Sequence, residues 1–311
     1  PGEFLTVDES QFNPTPGVGV SFALSSFGDD VYLFSADAAG LTGYSHGFSF
    51  GGAPDGVSFG RHLNSAGEEH FVLQTRLTFT ETNPGPRVGP VVINEIQYHP
   101  RPEGGEFLEL KNLTASAVPL YDPEFPTNRW QVSGLGFVFP ANISIPAQGY
   151  VLLVSGDPAA FRARYQVPDP VVILPFLGGL QDSGEKLELL VPDRPADNGT
   201  AYYAVDTVRY NDRQPWPVAA DGTGASLQRI DAAAYGNEPA NWLASAPTPG
   251  GELPAGLLAP VIETSPASRT NAAGQTVTLS VTAGGSAPLF YQWRFNQSNL
   301  AGATNATLVL T

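Results

Sequence analysis

The sequence predicts an all-β fold, and three observations carry that prediction. Only 14% of the 311 residues are charged, while Gly (34) and Pro (29) are abundant. That balance suits short strands joined by tight turns better than helices. The apolar residues also fall in short runs bounded by Gly, Asp and Pro, and a helical period shows at one place only. Finally, blocks recur in a fixed order. Gly2-Glu3-Phe4-Leu5-Thr6-Val7 is echoed by Gly149-Tyr150-Val151-Leu152-Leu153-Val154, and Gly28-Asp29-Asp30-Val31-Tyr32-Leu33 by Gly184-Glu185-Lys186-Leu187-Glu188-Leu189. Asp55-Gly56-Val57-Ser58-Phe59-Gly60-Arg61 is echoed by the stretch from Asp221 to Arg229, and Thr82-Asn83-Pro84-Gly85 by Thr248-Pro249-Gly250. Matching blocks in one order indicate tandem copies of a structural unit.

Residues 1–88 read as the back part of a first copy, with strands expected at Val31–Phe34 and His70–Thr75. Residues 89–250 form the complete copy, because Val91 to Gln148 supplies a front half that the first lacks. The sequence thus reads as a window on a longer modular protein. Strands are expected in the second copy at Val91–Tyr98, Glu106–Leu113, Trp130–Val132, Gly149–Val154, Lys186–Val191, Tyr202–Tyr210 and Ala225–Ile230. One short helix is expected near 157–166. Asp157 can cap it, Pro158 fits its first position, and Phe161 and Tyr165 share a face. Residues 251–259 form a linker. From 260 to 311, Gln275–Thr282 alternates polar and apolar residues as a half-buried strand does, followed by strands at Phe290–Phe295 and Ala306–Thr311.

The complete copy resembles the lamin tail domain, in the form found as repeats in bacterial extracellular proteins. The residues that carry the resemblance are Val91-Val92-Ile93-Asn94-Glu95-Ile96, Glu106-Phe107-Leu108-Glu109-Leu110, Ile145-Pro146-Ala147-Gln148-Gly149-Tyr150, Val205-Asp206-Thr207-Val208-Arg209-Tyr210, Gly224-Ala225-Ser226-Leu227-Gln228-Arg229, Asn241-Trp242 and Thr248-Pro249-Gly250. The resemblance implies tandem antiparallel β-sandwiches of immunoglobulin-like type with no catalytic residues. Residues 260–311 resemble an incomplete bacterial immunoglobulin-like domain, carried by Gly274–Leu279, Pro288–Trp293 and Leu300–Thr304. There Trp293 is expected as the core anchor.

Composition removes several function classes. A formal charge of −15 and a pI near 4.5 disfavour nucleic acid and anionic membrane surfaces as partners. The absence of Cys removes disulfides, thiolate catalysis and Cys-based zinc sites. No apolar run is long enough for a membrane span, so no insertion is expected. Gly43-Tyr44-Ser45-His46-Gly47 and Gly56-Val57-Ser58-Phe59-Gly60 match a nucleophile-elbow pattern, yet neither leads into a helix, and both read as turns. His46, His62, His70 and His99 lack ligand spacing. Glu95, Glu106 and Glu109 lie in or beside strands, which suits solvent-facing or backbone-bracing roles. Asp29, Asp30 and Asp221 stand in predicted turns, where they either make local turn hydrogen bonds or help to hold calcium. Trp216, Tyr202 and Tyr210 could form a platform for sugar rings, the other reading being core anchors. Trp216 stands between Pro215 and Pro217 and so reads as loop.

Together these readings predict a non-enzymatic, secreted or cell-surface modular protein with no cofactor, its sandwiches acting as spacers or adhesion units. Its partners would be other domains of the parent protein or a surface protein. The alternative is a carbohydrate-binding accessory module that contacts extracellular polysaccharide.

Overall fold

A computed structural model describes residues 3–12, 15, 23–196, 199–254, 260–272, 274–285, 289–296 and 298–310. Strands hold 40% of the chain and helices 6%, so the fold is all-β. Two units separate at Gly251, Pro1–Gly251 and Glu252–Thr311.

The first unit opens with a one-turn helix, α1 (Glu9–Phe12), and two hairpins, β1 (Gly28–Asp37) with β2 (Gly40–Gly51) and β3 (Phe59–Leu63) with β4 (Glu69–Leu73). There follow β5 (Val91–Gln97), β6 (Phe107–Asn112), β7 (Val118–Pro119), β8 (Gln131–Ser133), β9 (Phe137–Val138), β10 (Ser144–Ile145), β11 (Tyr150–Ser155), α2 (Pro158–Tyr165) and β12 (Val172–Phe176). The unit ends with β13 (Lys186–Ala196), β14 (Gly199–Arg209), β15 (Ser226–Arg229) and β16 (Trp242–Ser245). A six-stranded sheet runs in the order β12-β11-β6-β5-β15-β16, and a four-stranded sheet in the order β14-β13-β8-β9.

One buried cluster draws on both sheets. Val91, Ile93, Leu108, Leu110, Val151, Leu153 and Leu227 come from the larger sheet, and Val132, Leu187, Leu189 and Val208 from the smaller. The opposite face of the larger sheet is buried too. Phe107, Leu152 and Val154 pack there against Phe161 of α2 and against Val167 and Val171. A sheet covered on both faces loses strict alternation; β11 accordingly reads as a near-continuous apolar run, and β6 is buried at all of its positions.

Helix α2 starts as expected, with the Asp157 side chain accepting from the amides of Ala159 (3.0 Å) and Ala160 (3.3 Å). Its consequence for topology is a departure from a purely antiparallel fold. The helix carries the chain over the sheet so that β12 returns parallel to β11, as a strand–helix–strand crossover must.

Ile93 and Ile96 are three apart and would face opposite ways in a regular strand. A bulge at Asn94 shifts the register, so both point into the shared core while Glu95 turns outward.

The duplication extends to residue pairing. Gly28 and Gly184 both adopt positive φ (+107° and +102°). A Cβ at either would lie 2.3 Å from the Phe50 carbonyl oxygen or 2.4 Å from that of Tyr210, so only glycine fits. Val31 pairs with Phe48 as Leu187 pairs with Val208, and Leu33 pairs with His46 as Leu189 pairs with Asp206. Arg61 pairs with Phe71 as Arg229 pairs with Trp242. The hairpins β1–β2 and β3–β4 are therefore second instances of β13–β14 and β15–β16.

The second unit contains β17 (Val261–Thr264) paired with β19 (Thr282–Gly284), β18 (Val277–Ser280) with β22 (Thr307–Leu310), and β20 (Arg294–Phe295) with β21 (Ser298–Asn299). Trp293 is half-buried rather than a sealed anchor, and its ring nitrogen donates to the Asn305 carbonyl (2.8 Å).

Candidate functional site

A groove of about 370 Å³ opens in the first unit, between the paired hairpins and the outer face of β13 and β14. Phe50, Phe59 and Phe71 line one side, and Tyr202, Lys186 and Glu188 the other. The rings of Phe59 and Phe71 stack at 5.7 Å, and Phe48 stacks on Phe71 at 4.8 Å. Together the three rings form an aromatic wall. Lys186 and Glu188 neutralise one another at 2.6 Å, and Arg87 adds a cation to the lining. Tyr202 is the one predicted platform residue that reaches this groove, and it is half-buried there.

The other two predicted platform residues are in the core. Trp216 is 5% exposed, its ring 6.0 Å from that of Trp242. The flanking prolines suggested a loop, but the loop folds inward and the indole completes the shared core. Tyr210 is fully buried and stacks on Tyr98 at 4.8 Å. Its hydroxyl donates to the Gln181 carbonyl or the Glu185 carboxylate, both at 2.9 Å, and burial raises its pKa.

Among the described residues, three carboxylates lie inside the fold. Glu95 and Glu109 are cross-strand partners on β5 and β6, and both are buried. Ser226 donates to Glu95 Oε1 at 2.5 Å, Gln228 at 3.3 Å and the Thr248 amide at 3.1 Å. Glu109 accepts from the Asn94 side chain at 2.8 Å and from the Gly250 amide at 2.5 Å. The segment Thr248–Gly250 thus crosses the outer face of the larger sheet like a strap, held by two carboxylates. Burial raises the pKa of Glu95 to about 7 and that of Glu109 well above the usual range, the second helped by the charge of the first. Of the two roles expected for these residues, solvent-facing and backbone-bracing, both take the second.

The third is Asp206, whose Oδ2 lies 2.6 Å from Arg229 Nη1 with both side chains almost fully enclosed. The Asn94 bulge explains this pair. Next to it the Ile93 amide donates to Asp206 (2.8 Å) and the Ile93 carbonyl accepts from Arg229 (2.9 Å). Asp206 comes from the smaller sheet and Arg229 from the larger, so the ion pair ties the sheets together at that break. In the first copy the arrangement is rewired. Arg61 and His46, at the equivalent positions, both bond to Glu69.

At the rim, Glu106 accepts from the Leu180 amide at 2.9 Å. His99 Nδ1 lies 2.6 Å from Asp221 Oδ1, which raises the imidazole pKa, first through that hydrogen bond. The calcium candidates are not brought together as a ligand set. Asp29 and Asp30 are exposed in β1, with Asp29 accepting from the Asp30 amide (2.9 Å), while Asp221 serves His99. Among the described residues no group of three or more His, Asp or Glu is arranged to hold a metal ion. Of the two serine motifs, Gly56–Gly60 leads from a turn into β3, whereas Gly43–Gly47 lies within β2 and is strand, not turn. No helix among the described residues is long and apolar enough to cross a membrane.

Neither protein-family comparison nor searches of curated proteins and solved structures found a match.

Proposed function

We propose that the chain is a non-catalytic structural or adhesion module of a secreted or cell-surface multidomain protein, its complete copy a lamin-tail-like sandwich. The observation that carries this reading is the use made of the polar residues in the blocks that carry the resemblance. Asn94, Glu95, Glu109, Asp206, Gln228 and Arg229 lie in those blocks, and their polar groups bond to strap amides, to bulge backbone or to one another. Groups held this way are preorganised for stability and closed to substrate, whereas a nucleophile or general base needs reach to a reacting atom. The acidic, Cys-free composition suits exposure to an extracellular medium without disulfide chemistry. Other domains of the parent protein, or a surface protein, are the partners this reading calls for.

A second reading, carbohydrate binding, is favoured by one observation, the groove with Tyr202 and the phenylalanine wall. Affinity electrophoresis through gels cast with a panel of polysaccharides separates the two. The structural reading expects unchanged mobility in every gel. Retardation that disappears in Tyr202→Ala would replace it with the carbohydrate reading. Trp216→Ala is unsuitable for this test because the indole is core.

A further inference from the structure

In the complete copy, the edge of β13 is occupied. β8 pairs with it through Glu188↔Ser133, Leu189↔Val132 and Leu190↔Gln131. The inward residues Leu187 and Leu189 are fully enclosed, in the cluster that also holds Val91, Ile93, Leu108 and Leu110 of β5 and β6. At the same positions of the first copy, Val31 is 47% and Leu33 68% exposed. Tyr32 and Phe34, on the other face of β1, are exposed as well. Strand β1 has β2 on one side and no strand partner on the other among the described residues. Phe48 and Phe50 on β2 are covered by Phe71 and Phe59, so among the described residues these hairpins are closed on the β2 side and open on the β1 side. What is open there is what the front half of the complete copy fills.

We infer that the β1 edge and the face carrying Val31 and Leu33 form a docking surface for one kind of partner, a polypeptide segment patterned like Val91–Ser133. Its short strand would pair with Tyr32–Phe34 in the register that β8 keeps with Glu188–Leu190. Its two longer strands would set branched aliphatic side chains over Val31 and Leu33, as Val91, Ile93 and Leu110 stand over Leu187 and Leu189. Backbone pairing along an open edge supplies affinity, and the alternate apolar positions supply selectivity.

The test uses the full chain and, as probe, a peptide with the sequence of residues 89–148, read by hydrogen exchange of individual backbone amides. Saturating peptide is expected to slow exchange of amides in residues 31–34 by about tenfold or more, since a strand amide must open before it exchanges. Leu33→Asp in the full chain is expected to abolish that protection. Leu33 is exposed, so the variant's unchanged circular dichroism and Tm will show it folded. Protection confined to β9, β12 or β16, or none at all, overturns the proposal. So does slow exchange at 31–34 without peptide in a chain that sediments as a dimer, because the occupant would then be a second copy.

Discussion

At Glu95 the cost of taking a carboxylate out of water is met by Ser226, Gln228 and the Thr248 amide, yet burial still raises its pKa to about 7. The folded chain therefore holds a proton there that the unfolded chain releases near 4.5. Its contribution to stability is fullest below pH 4.5 and falls as pH rises to about 7, by about 3 kcal/mol. His99 adds the same sign at higher pH, since its raised pKa stabilises the fold below the unfolded value of 6.5 and is lost above. We expect the wild type to be more stable to urea at pH 5 than at pH 8, and Glu95→Gln to show a smaller difference. An undiminished difference in that variant would refute the assignment. Trp216→Ala should cost about 3–5 kcal/mol through the cavity it leaves, and Tyr202→Ala under about 1 kcal/mol, by thermal unfolding. The sequence could mark Trp216, Tyr202 and Tyr210 as aromatic resources but not sort them. Pro215 and Pro217 exclude regular structure without saying whether the irregular segment turns inward. Likewise the strand pattern places Glu95 and Glu109 in or beside strands, but the bulge that pairs them and the strap that covers them appear only in the structure.

Among the elements, those with alternating or continuous apolar runs were legible, including β5, β6, β11 and β13, as was α2 from its Asp157 cap. Strand β2 was not, because its Gly43, Gly47 and Gly51 suppress the apolar pattern; pairing with β1 imposes the extended form instead. Strand β12 was also missed, because Pro175 reads as a breaker yet is tolerated at a sheet edge. The two hairpin glycines give a paired prediction. Gly184→Ala forces a Cβ against the Tyr210 carbonyl inside the complete copy, and should lower the global transition by about 2 kcal/mol or more. Gly28→Ala makes the same clash in a hairpin open on one side. Its effect should be confined to faster amide exchange over residues 28–51, with the main Tm unchanged. Equal global losses from both would show that the hairpins stand or fall with the larger core.

For the whole molecule, the division at Gly251 separates a unit with a large shared core from one whose strands, among the described residues, form only pairs. Ending the chain at residue 251 should therefore leave the main calorimetric transition within about 2 °C, a shift worth about 1 kcal/mol for a unit of this size. A larger fall would mean that the second unit shares in the first unit's cooperativity. The all-β class was legible at this scale, because composition and short apolar runs report it without any knowledge of pairing. The crossover was not, since a parallel return depends on where α2 lands. The duplicated pairing also carries a mechanical meaning. Equivalent positions are separated by 156 residues (Gly28 to Gly184, 184 − 28) and by 168 (Arg61 to Arg229, 229 − 61). A chain of such copies pulled at its ends would surrender its modules one at a time. At about 3.5 Å per residue each would release roughly 550 Å of hidden length, less the folded span. In the spacer role proposed above, that reserve would absorb a sudden load before any covalent bond must bear it.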